Sequence, residues 1–471
     1  MDSISRVEKR PFGIKDKLGY LFGDFGNDFT FLLSSSFLLK FYTDVMHLSA
    51  GIIGIVIMLA RFVDAFTDVT MGRICDRAKP TKNGKFKPWI LRMCIPVSIA
   101  SFLIYQSGFA SSPEWFRILW LVLTYLLWGS FFYTSINIPY GSMASTISRD
   151  PEDRQSLSTF RTMGSTLAGL IVGAGVPLVA YDTRIVGGVE IAEMNGKRFT
   201  LIAGIFSILA IIAYLICYFL TTERVIPEEP KKTESRGVGT LITNAVRNRA
   251  LVSIIVASIL MLLSQFTLQQ MANYVFPDYY ANTAAQSTST IAMMGGMVIA
   301  AILAKPLTRR FGKAEISVFS NLLASAVCLL LFFIRPQNVW VYVGVNLFSW
   351  LGLGIFAMVS WALITDVIDY SEIKNGVRED GSIYALYSFA RKIGQAGAAG
   401  ITGLFLTLIG YEKLEGTALP NSVKEGIFNI STIVPAIGFL LLSLVLWFWY
   451  PLNKKEVEKN VQLLKEKHAE K

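Results

Sequence analysis

Three charged residues lie inside an apolar stretch of the sequence and share one face of a helix. Asp64 and Asp68 are four residues apart, and Arg61 precedes Asp64 by three. Each such charge costs roughly 2.5–3.5 kcal/mol at the centre of a bilayer. Two carboxylates one turn apart also resist ionising together unless a cation or a proton joins them. Because Arg61 can neutralise only one acid, we interpret the pair as a site for a coupling cation, with purely structural pairing as the alternative.

The composition indicates a membrane protein. Hydrophobic residues make up 53% of the 471 residues, charged residues make up 17%, and the mean hydropathy is +0.48. The charged residues separate apolar runs of roughly 20 residues, the length that a helix needs to cross a ~30 Å hydrocarbon core. We predict about twelve membrane-spanning helices. Their centres lie near Leu32, Val56, Ile99, Leu127, Leu170, Ile208, Ile259, Met294, Ala324, Leu353, Ala398 and Leu440.

The basic residues predict the orientation of these helices. The link at 73–87 holds six Lys or Arg residues against one Asp, and the links at 223–249 and 309–313 are also basic. By the positive-inside rule, both termini and the even-numbered links are expected to be cytoplasmic. The net charge of +10 follows from this topology. Because there is no basic, aromatic-interleaved soluble domain, we expect no nucleic-acid partner.

A polar, proline-bearing stretch divides the chain near its middle. It predicts an N-terminal six-helix bundle over 1–222, a cytoplasmic linker over 223–248, a C-terminal six-helix bundle over 249–452 and a cytoplasmic tail over 453–471. Six helices on each side of a linker favour a transporter built from two bundles. The predicted fold class is therefore an all-α membrane protein with both termini in the cytoplasm.

Histidine and cysteine offer few sites for chemistry. The sequence has two histidines and four cysteines, without metal-ligand spacing or a disulfide framework. Any proton that is transported must therefore bind to a carboxylate. Paired acids on one membrane helix cannot flank a glycosidic bond from two faces, and the sequence has no nucleophile motif. We expect no enzymatic activity and no cofactor.

Six short motifs run from the first to the eleventh predicted helix. They are Tyr42-Thr-Asp44-Val, Arg61-Phe-Val-Asp64-Ala-Phe-Thr67-Asp68, Gly84-Lys-Phe-Lys-Pro-Trp89, Asn137-Ile-Pro-Tyr-Gly141, Asp366-Val-Ile-Asp369-Tyr-Ser-Glu372 and Gly376-Val-Arg-Glu-Asp-Gly381. Together they resemble the glycoside–pentoside–hexuronide:cation symporter family, a branch of the major facilitator superfamily. The pattern around Asn137 and Lys392 is most similar to the glucuronide permeases. The resemblance covers about residues 15–450 and implies a major facilitator fold of twelve helices.

The resemblance also implies roles for individual residues. The family binds its coupling cation through acids on helix two, here Asp64 and Asp68, which would be the metal ligands if the ion is Na⁺. Thr67 and Thr134 would supply further oxygen ligands. The family binds its sugar through an acid on helix one and an arginine on helix five, here Asp28 and Arg161. The full set expected around the sugar is Asn27, Asp28, Tyr133, Asn137, Arg161, Ser388 and Lys392.

Other charged residues at membrane depth are expected to act in gating or structure. They are Arg61, Arg154, Asp366, Asp369 and Arg391. The last three lie near the predicted cytoplasmic boundary, where a salt bridge is the simpler role. Two alternatives stay open for the sugar site. Arg161 could be a boundary residue that snorkels to water, and Asn137 could bond a neighbouring helix.

The substrate prediction rests on one departure from the family pattern. The melibiose branch has an acid on helix four and a bulky aromatic residue one turn later, where this chain has Asn137 and Gly141. Removing one acid while keeping Arg161 and Lys392 would suit an anionic sugar. We therefore expect a hexuronide or β-glycoside permease that takes up its sugar with H⁺ or Na⁺. The alternatives on the same fold are a lipid transporter and a transporter-like sensor. The expected protein is a monomer in the lipid bilayer of a bacterial cell membrane.

Overall fold

The computed structural model describes residues 10–186, 188–225, 248–375, 380–413 and 416–469, and most of them lie in long helices. The N-terminal half contains α1 Ile14–Asp44, α2 Ala50–Arg77, α3 Lys87–Ile104, α4 Glu114–Ile147, α5 Pro151–Val179 and α6 Gly196–Leu220, with a 3₁₀ turn at Ser107–Phe109. The C-terminal half contains α7 Arg249–Tyr279, α8 Thr283–Phe311, α9 Lys313–Ile334, α10 Val339–Asn375, α11 Asp380–Leu408 and α12 Asn421–Trp449. A shorter helix, α13 Lys454–Ala469, follows. Four of the long helices contain π-helical segments, at Leu127–Tyr133, Ile171–Gly175, Val275–Tyr279 and Val445–Trp449.

Within the described residues, ten helices, α2–α10 and α12, are long and apolar enough to cross a membrane. Large apolar side chains such as Phe219, Phe333 and Phe448 point outward and are more than 70% exposed, as a surrounding bilayer requires. Each predicted helix centre lies within one of α1–α12. The helices α1 and α11, which are 31 and 29 residues long, are not among these ten. The chain is a helical membrane protein, and the count of twelve spans stays a prediction.

The helices pack as two groups. In the N-terminal half, α1 contacts α5 and α6, α3 contacts α6, and α2 contacts α4. In the C-terminal half, α7 contacts α11 and α12, while α10 contacts α8 and α9. The halves meet through α2 with α11, α1 with α7, and α5 with α8. Glycine allows the α2–α11 contact to be close, because a Cβ on Gly54 would lie 2.7 Å from the carbonyl oxygen of Ala399.

A β-hairpin joins α5 to α6. Strand β1, Tyr181–Val186, pairs antiparallel with β2, Val189–Met194, in a register that places Tyr181 opposite Met194. Gly188 adopts a φ of +84° at the turn, a conformation that L side chains rarely adopt. This hairpin was not predicted from the sequence. Its local signal is the Gly187-Gly188 dipeptide between two valine-containing runs.

The motif that begins at Gly84 is a turn built around one carboxylate. Glu223 accepts hydrogen bonds from the backbone nitrogens of Lys85, Phe86 and Lys87 at 2.9, 2.8 and 2.7 Å. Gly84 has a φ of +116°, and a Cβ there would lie 2.6 Å from the Glu223 carboxyl group. The carboxylate satisfies the free N–H groups at the start of α3. Of the linker predicted at 223–248, residues 226–247 lie outside the described residues.

Candidate cation and sugar site

The acid pair of α2 faces α4. The Ser130 hydroxyl donates to Asp64 Oδ1 at 2.5 Å, and the Thr134 hydroxyl donates to Asp68 Oδ1 at 2.8 Å. Arg61 Nη1 lies 3.6 Å from Asp64 Oδ2. Both acids therefore have a hydroxyl partner on the neighbouring helix, and Asp64 also has a cation beside it.

The local shape of α4 brings these hydroxyls into position. Ser130 belongs to the π-helical segment Leu127–Tyr133, and Thr134 is the first residue after it. The two hydroxyls are four residues apart, which matches the spacing of Asp64 and Asp68 on α2. Single-turn π segments of this kind occur often at functional sites. Thr134 was predicted from the sequence and Ser130 was not, although the matched spacing of four residues is a signal for both.

Lys392 of α11 completes the charge balance of this group. Its ammonium group pairs with Asp68 Oδ2. Two acids, Asp64 and Asp68, thus face two cations, Arg61 and Lys392, and the group is neutral without an added ion. The Thr67 hydroxyl donates to the Asp64 carbonyl oxygen at 3.1 Å and so bonds its own helix rather than a carboxylate. Lys392 thus lies on the carboxylate of Asp68, one of the two acids expected to bind the coupling cation.

The expected sugar-site arginine pairs with an acid that is not among the predicted site residues. Arg161 Nε donates to Asp24 Oδ1 at 3.0 Å. Asp28 is half-buried, one turn after Asp24 on the same face of α1. The Arg161 guanidinium also lies over the ring of Tyr140, 5.4 Å from its centroid. The structure therefore adds Asp24 to the candidate site and gives Arg161 a fixed partner inside the N-terminal half.

One of the other expected sugar-site residues, Asn27, lies deeper in the bundle than the rest. Asn27 is 1% exposed and accepts a hydrogen bond from the Tyr214 hydroxyl at 2.9 Å. Its amide nitrogen donates to Asn137 Oδ1 at 3.5 Å. Tyr133 stacks on Phe31 with ring centroids 5.7 Å apart. Asn137 and Tyr133 are both half-buried, so they border the cleft while Asn27 supports them from behind.

The C-terminal half contributes residues of α10 and α11. Ser388 is half-buried, one turn before Lys392. Arg391 lies over the ring of Trp361, 5.4 Å from its centroid. Asp366 accepts a hydrogen bond from Lys313 of α9 at 2.5 Å, and Asp369 is half-buried three residues later.

In the N-terminal half, the remaining expected gating residue, Arg154, donates a hydrogen bond to the carbonyl oxygen of Arg149 at 2.9 Å near the start of α5.

Four charged side chains are buried together at one end of the molecule. We call the end where α1 stops and α2 starts the outer face, and the opposite end the inner face. Lys40 and Asp44 of α1 meet Asp278 of α7 and Lys413, which follows α11, and none of the four side chains is more than 7% exposed. Lys40 and Lys413 both pair with Asp278, and Lys40 lies 2.8 Å from Asp44. This outer charge cluster joins the two halves of the chain.

The outer charge cluster is held by further hydrogen bonds. The Tyr411 hydroxyl donates to Asp44 at 2.8 Å and to Asp278 at 2.9 Å as alternative acceptors. Lys413 also donates to the carbonyl oxygen of Ala192 in β2 at 2.6 Å, so the hairpin covers the cluster. Burial alone would lower the pKa of Lys413, but its attraction to Asp278 and Asp44 outweighs this and raises the pKa above its ordinary value.

The contacts between the halves indicate the direction in which the cleft opens. Near the outer face, Asn273 donates to the Ser36 carbonyl oxygen at 2.7 Å, and Thr290 donates to that of Gly173 at 3.1 Å. Further toward the inner face, the side chains of Arg161 and Lys392 are 41% and 37% exposed. The structure is therefore closed at the outer face, with its candidate site accessible from the inner side.

Comparison with known proteins agrees with this architecture. A family model described as MFS/sugar transport protein matches residues 19–454. An uncharacterised symporter of Bacillus subtilis, YjmB, is 30% identical over 98% of each chain. A glucuronide carrier protein homologue of Escherichia coli is 29% identical over 94% of each chain, and an isoprimeverose transporter of Lactiplantibacillus pentosus is 29% identical over 99% of this chain and 94% of its own.

Solved structures show the same fold at low sequence identity. The inward-open xylose transporter XylE of E. coli superposes with a TM-score of 0.62 at 12% identity, covering 95% of this chain and 98% of its own. The family match spans nearly the whole chain, including the acid pair of α2 and the helices around it. The chain therefore belongs to the glycoside–pentoside–hexuronide:cation symporter family of the major facilitator superfamily, and it is a multi-pass transporter of the plasma membrane rather than an enzyme.

Proposed function

We propose that this transporter couples the movement of a glycoside or hexuronide to that of a monovalent cation, Na⁺ or H⁺, bound at Asp64 and Asp68. The observation that carries the proposal is the pairing of Lys392 with Asp68. An acid pair that already has an internal cation on it is suited to exchange that cation for an ion from solution. The exchange would change which groups are available to the sugar.

Cation binding would release Lys392. The two carboxylates and the Ser130 and Thr134 hydroxyls offer the oxygen ligands that a hard cation prefers. A bound Na⁺, or a proton on Asp68, would remove the attraction that holds the ammonium group. Lys392 would then be free to donate to hydroxyl or carboxylate oxygens of the sugar. Because linkage is reciprocal, the sugar would raise the affinity for the cation by the same factor.

The sugar would bind between the halves. Asp28 would accept from sugar hydroxyls, while Arg161, Asn137 and the released Lys392 would donate to its oxygens. Support for this substrate class comes from the relatives, whose names include a glucuronide carrier and an isoprimeverose transporter. A hexuronide and a β-glycoside differ by one carboxylate, so the choice between them depends on the charge of this pocket.

Transport would follow from alternating exposure of this site to the two sides of the membrane. The outer charge cluster closes one side, and it would have to separate for the sugar to enter from outside. Its four charges would then regain water, which offsets part of the lost attraction. Rocking of α1–α6 against α7–α12 would break the contacts of Lys40 with Asp278 and of Lys413 with Ala192.

Uptake by proteoliposomes tests the proposal. Labelled glucosides, glucuronides and pentosides would be supplied with a Na⁺ gradient alone, a pH gradient alone, or neither. We expect one sugar class to accumulate only with one of the two gradients, and we expect Asp68→Asn to equilibrate that sugar without concentrating it. Accumulation of no sugar in the panel, or equal accumulation with no ion gradient, would overturn the proposal.

A further inference from the structure

Asp24 holds Arg161 in a fixed position at the edge of the proposed sugar site. The Asp24 side chain is 10% exposed, whereas that of Arg161 is 41% exposed. One edge of the guanidinium therefore contacts a buried carboxylate, while a large part of the arginine side chain stays exposed. The contact runs through Nε at 3.0 Å, and a guanidinium carries four further N–H donors on its two terminal nitrogens.

The surroundings of this pair restrict its movement. Tyr140, under the guanidinium, stacks on Tyr20 with ring centroids 4.6 Å apart and donates to the Tyr20 carbonyl oxygen at 2.6 Å. A Cβ on Gly23, the residue before Asp24, would lie 2.2 Å from the Tyr140 ring, so α1 and α4 meet closely here. The carboxylate of Asp24 cannot easily leave Arg161, because its own helix is packed against the ring below.

Asp24 makes the pocket more negative than it would be if only Arg161 and Lys392 were counted. On α1 and α5 two acids, Asp24 and Asp28, face one cation, Arg161. On α2 and α11 two acids face Arg61 and Lys392. The cleft region therefore carries one net negative charge when all of these groups are ionised, and a bound monovalent cation brings it to zero.

We infer that Asp24 sets the charge selectivity of the sugar site by acting as an internal competitor for Arg161. A sugar carboxylate has to share the guanidinium with Asp24 and is repelled by it at short range. A neutral sugar hydroxyl meets no such repulsion and can accept from the remaining N–H donors. The inference deepens the proposed function and rests on it, since it assumes that the sugar reaches Arg161.

A merely structural role for Asp24 makes a different prediction. If Asp24 only supported the fold of the N-terminal half, its loss would weaken the binding of every sugar by a similar factor. If it competes with the substrate, its loss would affect charged and neutral sugars differently. The informative quantity is therefore the ratio of the affinities for a matched glucuronide and glucoside, rather than either affinity alone.

The test uses full-length protein in detergent or proteoliposomes, with binding measured by competition between a glucuronide and the corresponding glucoside. We expect Asp24→Asn to raise the glucuronide-to-glucoside affinity ratio by about tenfold over wild type. The matched control, Asp24→Glu, keeps the charge and should keep the ratio near the wild-type value. An unchanged ratio in Asp24→Asn, or an equal loss of both affinities, would overturn the inference.

A second variant covers the case in which Asp24→Asn fails to fold. Arg161→Lys replaces a fork of donors with a compact charge that Asp24 can occupy fully. We expect it to lower the glucuronide-to-glucoside ratio by about tenfold, and an unchanged ratio would contradict the inference. The proposed function is judged separately, by whether the wild-type protein accumulates any sugar with an ion gradient. The uptake experiment on wild-type protein can therefore contradict the proposed function while the affinity ratios still agree with the role of Asp24. The affinity ratios can likewise contradict the role of Asp24 while the uptake experiment supports the proposed function.

Discussion

The ammonium group of Lys392 on α11 lies on the carboxylate of Asp68 on α2, and this contact joins the two halves of the transporter at the acid pair. The same carboxylate accepts from Thr134 of α4 through its other oxygen. Asp68 thus connects three helices, two from the N-terminal half and one from the C-terminal half. A change in the charge or the partners of Asp68 would therefore alter contacts in both halves at once.

Removing either acid of α2 should uncouple transport. We expect Asp64→Asn and Asp68→Asn to abolish cation-driven accumulation while preserving sugar exchange down its gradient, because the amide cannot balance a bound cation. The measurement is accumulation against exchange in proteoliposomes. Asp76→Asn, which changes an exposed acid near the end of the same helix, is the matched control. Accumulation at the wild-type level in both site variants would rule out this cation site.

Lys392→Gln should strengthen cation binding and weaken its link to the sugar. Without the ammonium group, the cation no longer has to displace an internal charge from Asp68. We expect the affinity for the coupling cation to rise about tenfold, while sugar affinity falls and no longer depends on the cation. Calorimetric titration of cation and sugar, each with and without the other, measures both effects. Arg391→Gln is the control, since Arg391 lies over Trp361. Weaker cation binding in Lys392→Gln would contradict the exchange mechanism.

Asn137→Asp should impair uronides more than neutral sugars. The new carboxylate would lie next to Asn27, whose amide nitrogen is 3.5 Å from Asn137 Oδ1, and it would repel a substrate carboxylate in poorly screened surroundings. We expect glucuronide affinity to fall at least about tenfold more than glucoside affinity. Competition binding with the two sugars provides the measurement. An equal loss for both would show that Asn137 faces the protein rather than the substrate.

Lys40→Met should favour opening at the outer face. The substitution leaves the buried cluster with two acids and one cation, and an uncompensated buried charge costs roughly 3–5 kcal/mol. Water can solvate that charge only when the halves separate there. Ser35→Cys, placed in α1 beneath the cluster, should therefore react faster with a membrane-impermeant maleimide added outside when Lys40→Met is also present.

The control for this accessibility measurement is Lys197→Met, which removes an exposed lysine near the start of α6. All four native cysteines are buried, so background labelling should be low. Equal labelling rates in the Lys40→Met and Lys197→Met backgrounds would show that the outer charge cluster does not hold the outer face closed.

Local patterns in the sequence were enough to locate the acid pair. Asp64, Asp68 and Arg61 lie within two helical turns, so helix periodicity alone places them on one face. Apolar run lengths likewise located a helix at every predicted centre. These features depend on neighbours in the chain, which a sequence shows directly.

The partner of Arg161 and the outer charge cluster could not be predicted in this way. Asp24 and Asp28 lie on one face of α1, and only the packing of α5 decides which of them Arg161 meets. Asp278 is separated from Lys40 by 238 residues and from Lys413 by 135. Asp278 lies in the π-helical end of α7 and is buried. Contacts at such separation arise from tertiary packing.

The balance of the outer charge cluster bears on how membrane voltage acts on the transport cycle. A field does electrical work only on net charge that is displaced across it, about 2.3 kcal/mol per elementary charge per 100 mV. Lys40 and Lys413 cancel Asp44 and Asp278, so separation of the cluster as two neutral halves would be nearly insensitive to voltage. The electrical sensitivity of the cycle is then expected to reside in the coupling cation and in the displacement of Lys392 from Asp68.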